Sequence, residues 1–227
     1  MLNFRRGHKY PGVLVSFEGG EGAGKSTQLR RFHEHLMQRY GESQVLLTRE
    51  PGGTEIGEQV RNLLVHGKEE SMCDRTELML FNTSRAQIVE ELVIPALSRG
   101  AIVLSDRLYD STIIYQGLAR GLDMDFIRNH LIPFVMQGIT PDITYLLDIE
   151  PEQGLQNIRQ RPGRLTNFDK KDIKFHRTVN EGFRNLAREE ADRFKVIPYQ
   201  HGNPGVMQAQ IRMHFDRFID YTGYKGI

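Results

Sequence analysis

Cysteine is nearly missing from this chain: among 227 residues only Cys73 carries a thiol. An intramolecular disulfide is therefore excluded, and no Cys/His spacing for structural zinc exists. His33 and His35 stand too close together for the i, i+4 pair of a helical zinc site, and no H-E-x-x-H occurs. An excess of one charge is also lacking. Thirty Lys and Arg against twenty-nine Asp and Glu leave a formal net charge of +1, which supplies no global field for nucleic acid or anionic lipid. The basic cluster Arg5-Arg6-Gly7-His8-Lys9 reads most simply as part of a solvated N-terminal arm, residues 1–11. The apolar run after it is only about five residues long, too short for the core of a secretion signal. No run approaches membrane-spanning length, and there is no internal repeat or low-complexity tract. These absences point to a cytoplasmic protein without a nucleic-acid or membrane partner.

What the chain does have is a composition, 39% hydrophobic and 26% charged, that suits one α/β domain with an ample core. Strand and helix patterns alternate along it, which argues a parallel sheet covered on both faces. The strand runs are Val13–Phe17, Val45–Thr48, Ala101–Ser105, Ile143–Leu147 and the short Val196-Ile197. Helical patterns cover Ile56–Val65, Thr76–Leu97, Phe126–Met136, Glu152–Gln160, Phe175–Arg188 and Val206–Phe218. Pro95 is expected to kink the second of these or to mark its last turns.

Between the first strand and a helix with Leu29, Phe32, Leu36 and Tyr40 on one face lies Gly19-Gly20-Glu21-Gly22-Ala23-Gly24-Lys25-Ser26, followed by Thr27. Strand, glycine loop, helix is the context of a phosphate-binding loop. The glycines let backbone N–H groups turn inward, and with the helix N-terminus they form a concave positive site for polyphosphate. Lys25 adds a point charge for the β- and γ-phosphates, and the Ser26 hydroxyl is placed to ligate Mg²⁺. A dinucleotide fingerprint is excluded: counting from Gly20-x-Gly22, its third glycine falls on Lys25.

Asp106-Arg107 closes a buried strand, where a carboxylate can hold Mg²⁺ through water and a guanidinium can grip phosphate in a fork; a plain salt bridge fits the same residues. Arg49 follows the neighbouring strand. Two arginines and Lys25 exceed what one triphosphate needs, so a second phosphate, on an acceptor, is expected. Phe81 and Arg85, at i, i+4, share one helix face. They suit a base stacked on the ring and read by the guanidinium; a core Phe and a surface Arg fit equally well. Gln116 offers both donor and acceptor to a base edge, while Tyr115 serves either that pocket or the core. The polar stretch from Arg159 to Asp172, with Pro162-Gly163 in it, is expected to return over the carboxyl edge of the sheet as a mobile lid.

Phe17-Glu18-Gly19 through Thr27, Thr48-Arg49-Glu50-Pro51-Gly52-Gly53-Thr54, Phe81-x-x-x-Arg85, Asp106-Arg107 and Asp110-Ser111-Thr112-x-x-Tyr115-Gln116-Gly117 together resemble the bacterial thymidylate kinases, in that family's order and spacing. The likeness covers residues 12–218. It implies a single P-loop kinase domain over 1–227, with a lid at about 159–172 and a tail at 219–227, that works as a homodimer. It implies transfer of the γ-phosphoryl of ATP to dTMP with Mg²⁺. Glu21 would bond the 3′-hydroxyl of dTMP, and Arg49 and Arg107 would hold its phosphate. Asp106 would organise the metal, Phe81 would stack on thymine, and Arg85 and Gln116 would read its edge. Tyr115 would lie where a 2′-hydroxyl clashes.

The chain departs from the family twice. Leu108 stands where an aromatic residue or His usually follows Asp-Arg. Thr166-Asn167-Phe168-Asp169 stands where the lid usually carries Asp-Arg, an apolar residue and Glu. The loop has Lys25 as its sole cation, so a lid cation is still required. Among Arg159, Arg161, Arg164, Lys170 and Lys171, the planar fork favours arginine. Arg164, with Arg161 assisting, flanks Pro162-Gly163 and is the expected contact.

Overall fold

The structure is a computed structural model that describes residues 7–66, 72–160 and 165–224. Its centre is a five-stranded, all-parallel sheet in the order β2-β3-β1-β4-β5. The strands are β1 (Val13–Glu18), β2 (Val45–Arg49), β3 (Ile102–Asp106), β4 (Ile143–Asp148) and β5 (Phe194–Pro198). Every expected strand is present, each reaching one residue further toward its carboxyl-terminal loop. The extension matters, because it makes Glu18, Arg49 and Asp106 the last residues of their strands. Phe17 and Arg49 both pair in register with Asp106, so the ends of β1, β2 and β3 lie side by side.

Pleating sends alternate residues of each strand to opposite faces, and both faces are covered. Val13, Val15, Phe17, Leu104 and Tyr145 pack with Phe32 and Phe215 from α1 (Lys25–Tyr40) and α10 (Pro204–Thr222). Leu14, Val103 and Leu146 pack with Ile88, Leu97 and Phe183 on the other side. The helices between are α2 (Glu55–His66), α3 (Asp74–Ile88), α4 (Ile94–Ser98), α5 (Tyr109–Thr112), α6 (Met124–Phe126), α7 (Ile132–Met136), α8 (Pro151–Arg159) and α9 (Ile173–Glu189).

Pro95 marks the last turn of its helical stretch, as expected, since the stretch ends at Ser98. α3 runs into α4 through a π-helical turn at Val89–Val93. α6 likewise runs into α7 through Ile127–Leu131, just before Pro133. The wider turn accommodates a proline ring that would otherwise meet the carbonyl four residues back.

The expectation of a solvated arm does not hold for Gly7 and His8, although Lys9 and Pro11 are exposed. Gly7 N donates to Asp142 Oδ1 at 2.9 Å, and the His8 side chain, 1% exposed, lies 3.0 Å from the same carboxylate. At the other end α10 continues to Thr222, past residue 219 where a tail was expected, because Ile219 is still buried in the core. Among the described residues no helix is long and apolar enough to cross a membrane.

Candidate active site

The order β2-β3-β1-β4 places a crevice at the carboxyl end of β1, where the connections diverge to either side. The loop after β1 enters it. Gly22 has φ +74°, and a Cβ there would stand 2.1 Å from the carbonyl oxygen of Gly154 on α8. Glycine is thus required at this point for both conformation and approach. Asn157 of α8 fixes the same turn, donating Nδ2 to Gly22 O and to Tyr199 Oη. α1 begins at Lys25, directly after Gly24 in the left-handed region, so its free N–H groups open into the crevice.

A cavity of about 560 Å³ fills this crevice. At one end lie Glu21 to Thr27. Lys25 is 9% exposed and donates Nζ to the carbonyls of Gly19 and Gly20 at 2.9 and 2.7 Å. Burial, and after it the positive charge of Arg107, lower its pKa to about 8. Ser26 Oγ donates to Asp106 Oδ2 at 3.0 Å, so a hydroxyl and a carboxylate from two elements stand together facing the cavity. Gly19 and Gly20 themselves do not line it.

Arg107 is the hinge of the site. Its φ is 70°, a conformation that costs an L residue roughly 1–2 kcal/mol, and the surroundings hold it there. Its N–H donates to Phe17 O, and the next N–H, of Leu108, donates to Glu18 Oε1 at 2.7 Å. The turn aims the guanidinium at Glu21 Oε1, 2.8 Å away, with further bonds to Gly19 O and Ser111 Oγ. Glu18, fully buried beneath, has its pKa pushed up to about 7, first by desolvation and then by Asp110.

Glu21 also accepts from the Tyr115 hydroxyl at 2.7 and 2.8 Å, and His176 Nδ1 lies 3.6 Å away. Burial works to raise the pKa of Glu21, but His176, Arg107, Lys25 and Tyr115 outweigh it and hold it at about 2. Tyr115 shows the converse: burial, and its own contact with Glu21, keep the phenol protonated.

The other end of the cavity is aromatic and amide-lined. Phe81, Tyr115, Gln116 and Phe168 reach it, and the Phe168 ring lies 6.0 Å from Phe81 and 5.5 Å from Tyr115. The segment after α8 therefore does return over the sheet edge. Its Thr166 and Asp169 close a local turn, Thr166 N to Asp169 Oδ2 at 2.8 Å. Arg161 and Arg164 lie outside the described residues.

One sequence expectation changes here. Arg85, expected to read the base edge, does not line the cavity; it is 1% exposed and bonds Glu50, Asn82 and Thr112, so it is no surface arginine either. Arg49 lines the cavity, where it meets Glu58 through two 2.9 Å contacts. Sequence reasoning missed Arg61, His176 and Asn157. Arg61 lines the cavity and donates to Pro51 O at 2.8 Å. Its place on the helix entered from the Arg49 loop was the available signal. His176 carried none, being a lone His inside an amphipathic helix.

A parallel sheet with a phosphate-binding loop on its central strand, and cations converging on one crevice, defines a P-loop phosphotransferase. Residues 17–211 match the family model described as thymidylate kinase. A thymidylate kinase of Exiguobacterium is 42% identical over 211 residues, 93% of this chain and 94% of that protein. One from Bacillus pumilus is 42% identical over 187 residues, 82% and 87% of the two chains. The crystal structure of thymidylate kinase from Ehrlichia chaffeensis superposes with a TM-score of 0.75 at 31% identity, covering 90% of this chain and 98% of that one. The chain belongs to the thymidylate kinase family.

Proposed function

We propose that the ATP-dependent phosphorylation of dTMP, the activity of this family, takes place in the cavity at the carboxyl end of β1. The observation that carries this reading is the polarity of that single cavity. A phosphate-binding loop occupies one end, an aromatic and amide surface the other, and Arg107 stands between them. Donor phosphates belong at the loop, with Lys25 on the transferring group. The acceptor phosphate belongs on Arg107, with Arg49 and Arg61 beside it. Phe81 and Gln116 then receive the base. Glu21, held ionised by His176, Arg107, Lys25 and Tyr115, is an acceptor for the sugar hydroxyl.

Ser26 and Asp106 fit Mg²⁺: a hydroxyl and a carboxylate in mutual contact suit a hard ion that keeps most of its waters. Held by Ser26 and Asp106, Mg²⁺ would supply positive charge against the phosphates. The protein's own part is positioning and electrostatics. Lys25 and the loop amides orient the donor, Arg107 aligns the acceptor oxygen, and Phe168, at the cavity, helps to exclude water from both. We further propose one kinase domain acting as a cytoplasmic homodimer. The exposed apolar side chains of Ile56, Leu63 and Met79 on α2 and α3 support self-association.

The test mixes the protein with Mg-ATP and each nucleoside monophosphate in turn and follows ADP. ADP formation that depends on dTMP is expected. Acceptor-independent ADP release would mean a slow nucleotide switch, and preference for another monophosphate would mean a different kinase.

A further inference from the structure

Gln116 lies at the base end of the cavity and is only 2% exposed. A free amide presents either its oxygen or its nitrogen to a base, and thymine and cytosine differ in just this respect. Thymine offers an N–H at position 3 beside a carbonyl; cytosine offers a lone pair there beside an amino group. An amide that can turn over serves both. In this chain it cannot turn freely. Gln116 Nε2 donates to Glu77 Oε1 at 2.8 Å. Glu77 is 7% exposed and does not line the cavity. Its other oxygen accepts from Arg120 Nη2 at 2.8 Å, and Arg120 Nε lies 3.4 Å from Oε1. Arg120 is itself held 3.5 Å from Asp74 and over the Phe175 ring. A carboxylate bound by a guanidinium is an acceptor only. Turning Gln116 over would set its oxygen against that carboxylate, two acceptors face to face in a buried site.

We propose that Glu77 is a specificity-determining positioning residue, which locks the Gln116 amide with its oxygen toward the substrate and so selects a pyrimidine carrying N3–H. The Gln116 oxygen accepts from N3–H of thymine and meets the N3 lone pair of cytosine with repulsion. Glu77 touches no substrate atom; it acts through Gln116. The inference rests on the proposed function of the cavity, and deepens it.

Glu77→Gln reverses the lock. Arg120 claims the single oxygen of the new amide, so its NH₂ faces Gln116, which then turns over and presents its own nitrogen to the base. The ratio of kcat/KM for dTMP to that for dCMP is expected to fall at least about tenfold, with dCMP turnover rising in absolute terms. Calorimetric Kd values for both monophosphates without ATP should shift in the same opposed directions. Adding Gln116→Glu to Glu77→Gln restores an acceptor toward the base and should recover the dTMP preference. Should Glu77→Gln fail to fold, Glu77→Asp carries the test. It keeps a carboxylate for Arg120, draws it back from Gln116, and should lower the ratio by a smaller factor. An unchanged ratio, or equal losses for both substrates, would overturn the inference while wild-type dTMP turnover leaves the proposed function standing. No dTMP-dependent ADP from the wild type would remove both.

Discussion

Lys25 offers a test of the donor end that needs no assumption about the lid. Its ammonium is 9% exposed, and burial and Arg107 together bring its pKa from 10.5 to about 8. At about 1.4 kcal/mol per unit, the free site disfavours the charged form by roughly 3 kcal/mol. A polyphosphate placed against Nζ offsets that penalty, so the pKa must rise when ATP binds. kcat/KM for ATP reports ionisations of the free enzyme, whereas kcat reports those of the complex. The chemistry needs the cation, which is lost as pH rises through 8. kcat/KM is therefore expected to be level from pH 6 to 7 and to drop about tenfold between pH 7 and pH 9. kcat at saturating ATP should stay nearly level over the same range. Lys25→Arg supplies a cation that does not titrate there; its activity should be lower throughout, and the break near pH 8 should vanish. Initial rates at fixed ionic strength, with dTMP saturating, give both profiles. A break that persists in Lys25→Arg, or that appears equally in kcat, would refute the reasoning.

Arg85→Ala should destabilise the fold as well as the activity. Removing the guanidinium leaves Glu50, whose pKa burial already raises, without its partner. Breaking a buried pair costs about 3–5 kcal/mol. Because the folded carboxyl then prefers its proton even more, stability is lost as pH rises past the ordinary carboxylate range. Urea unfolding should show a larger deficit at pH 8 than at pH 5; a uniform deficit would point to packing instead. Arg164→Ala should lower kcat by roughly 10²-fold with KM for dTMP little changed, the pattern of a contact made only in the transition state. Arg161→Ala should be intermediate, and Lys170→Ala and Lys171→Ala mild. Wild-type kcat in both arginine variants alongside a loss in a lysine variant would transfer the role.

The sheet was legible because each strand is an apolar run ended by a residue of another kind, and the phosphate loop because its glycines and Lys-Ser have one shared physical purpose. Less legible was the helical stretch Tyr109–Ala119, which carries Tyr115 and Gln116. Its Ile113-Ile114-Tyr115 run is β-branched and aromatic, and its later part is π-helical, so no 3.6-residue period marks it. The partners that set the electrostatics were out of reach for another reason. Asp110 bonds Arg193 across 83 residues, and Glu77 meets Gln116 across 39. Pairings of that kind are made by the fold and leave no trace in local spacing. The placement of Arg85 failed on the same ground. Helix periodicity put it on the Phe81 face, but Glu50, 35 positions earlier, decides how deep it lies.

Three arginines around this cavity rest on three carboxylates, and their burial sorts what each is free to do. The Arg49–Glu58 pair is 54% and 42% exposed, and such pairs contribute about 0–1 kcal/mol. A phosphate can therefore take Arg49 from Glu58 at little cost. The Arg107–Glu21 pair is 20% and 10% exposed. Its guanidinium also holds Gly19 O and Ser111 Oγ, so on our reading it keeps its carboxylate and turns only its remaining N–H groups to the acceptor phosphate. The Arg85–Glu50 pair, at 1% and 3%, cannot be exchanged without burying a bare charge. Glu50 lines the cavity, so this pair fixes part of its wall. Across the three pairs, freedom to change partners therefore falls as burial rises.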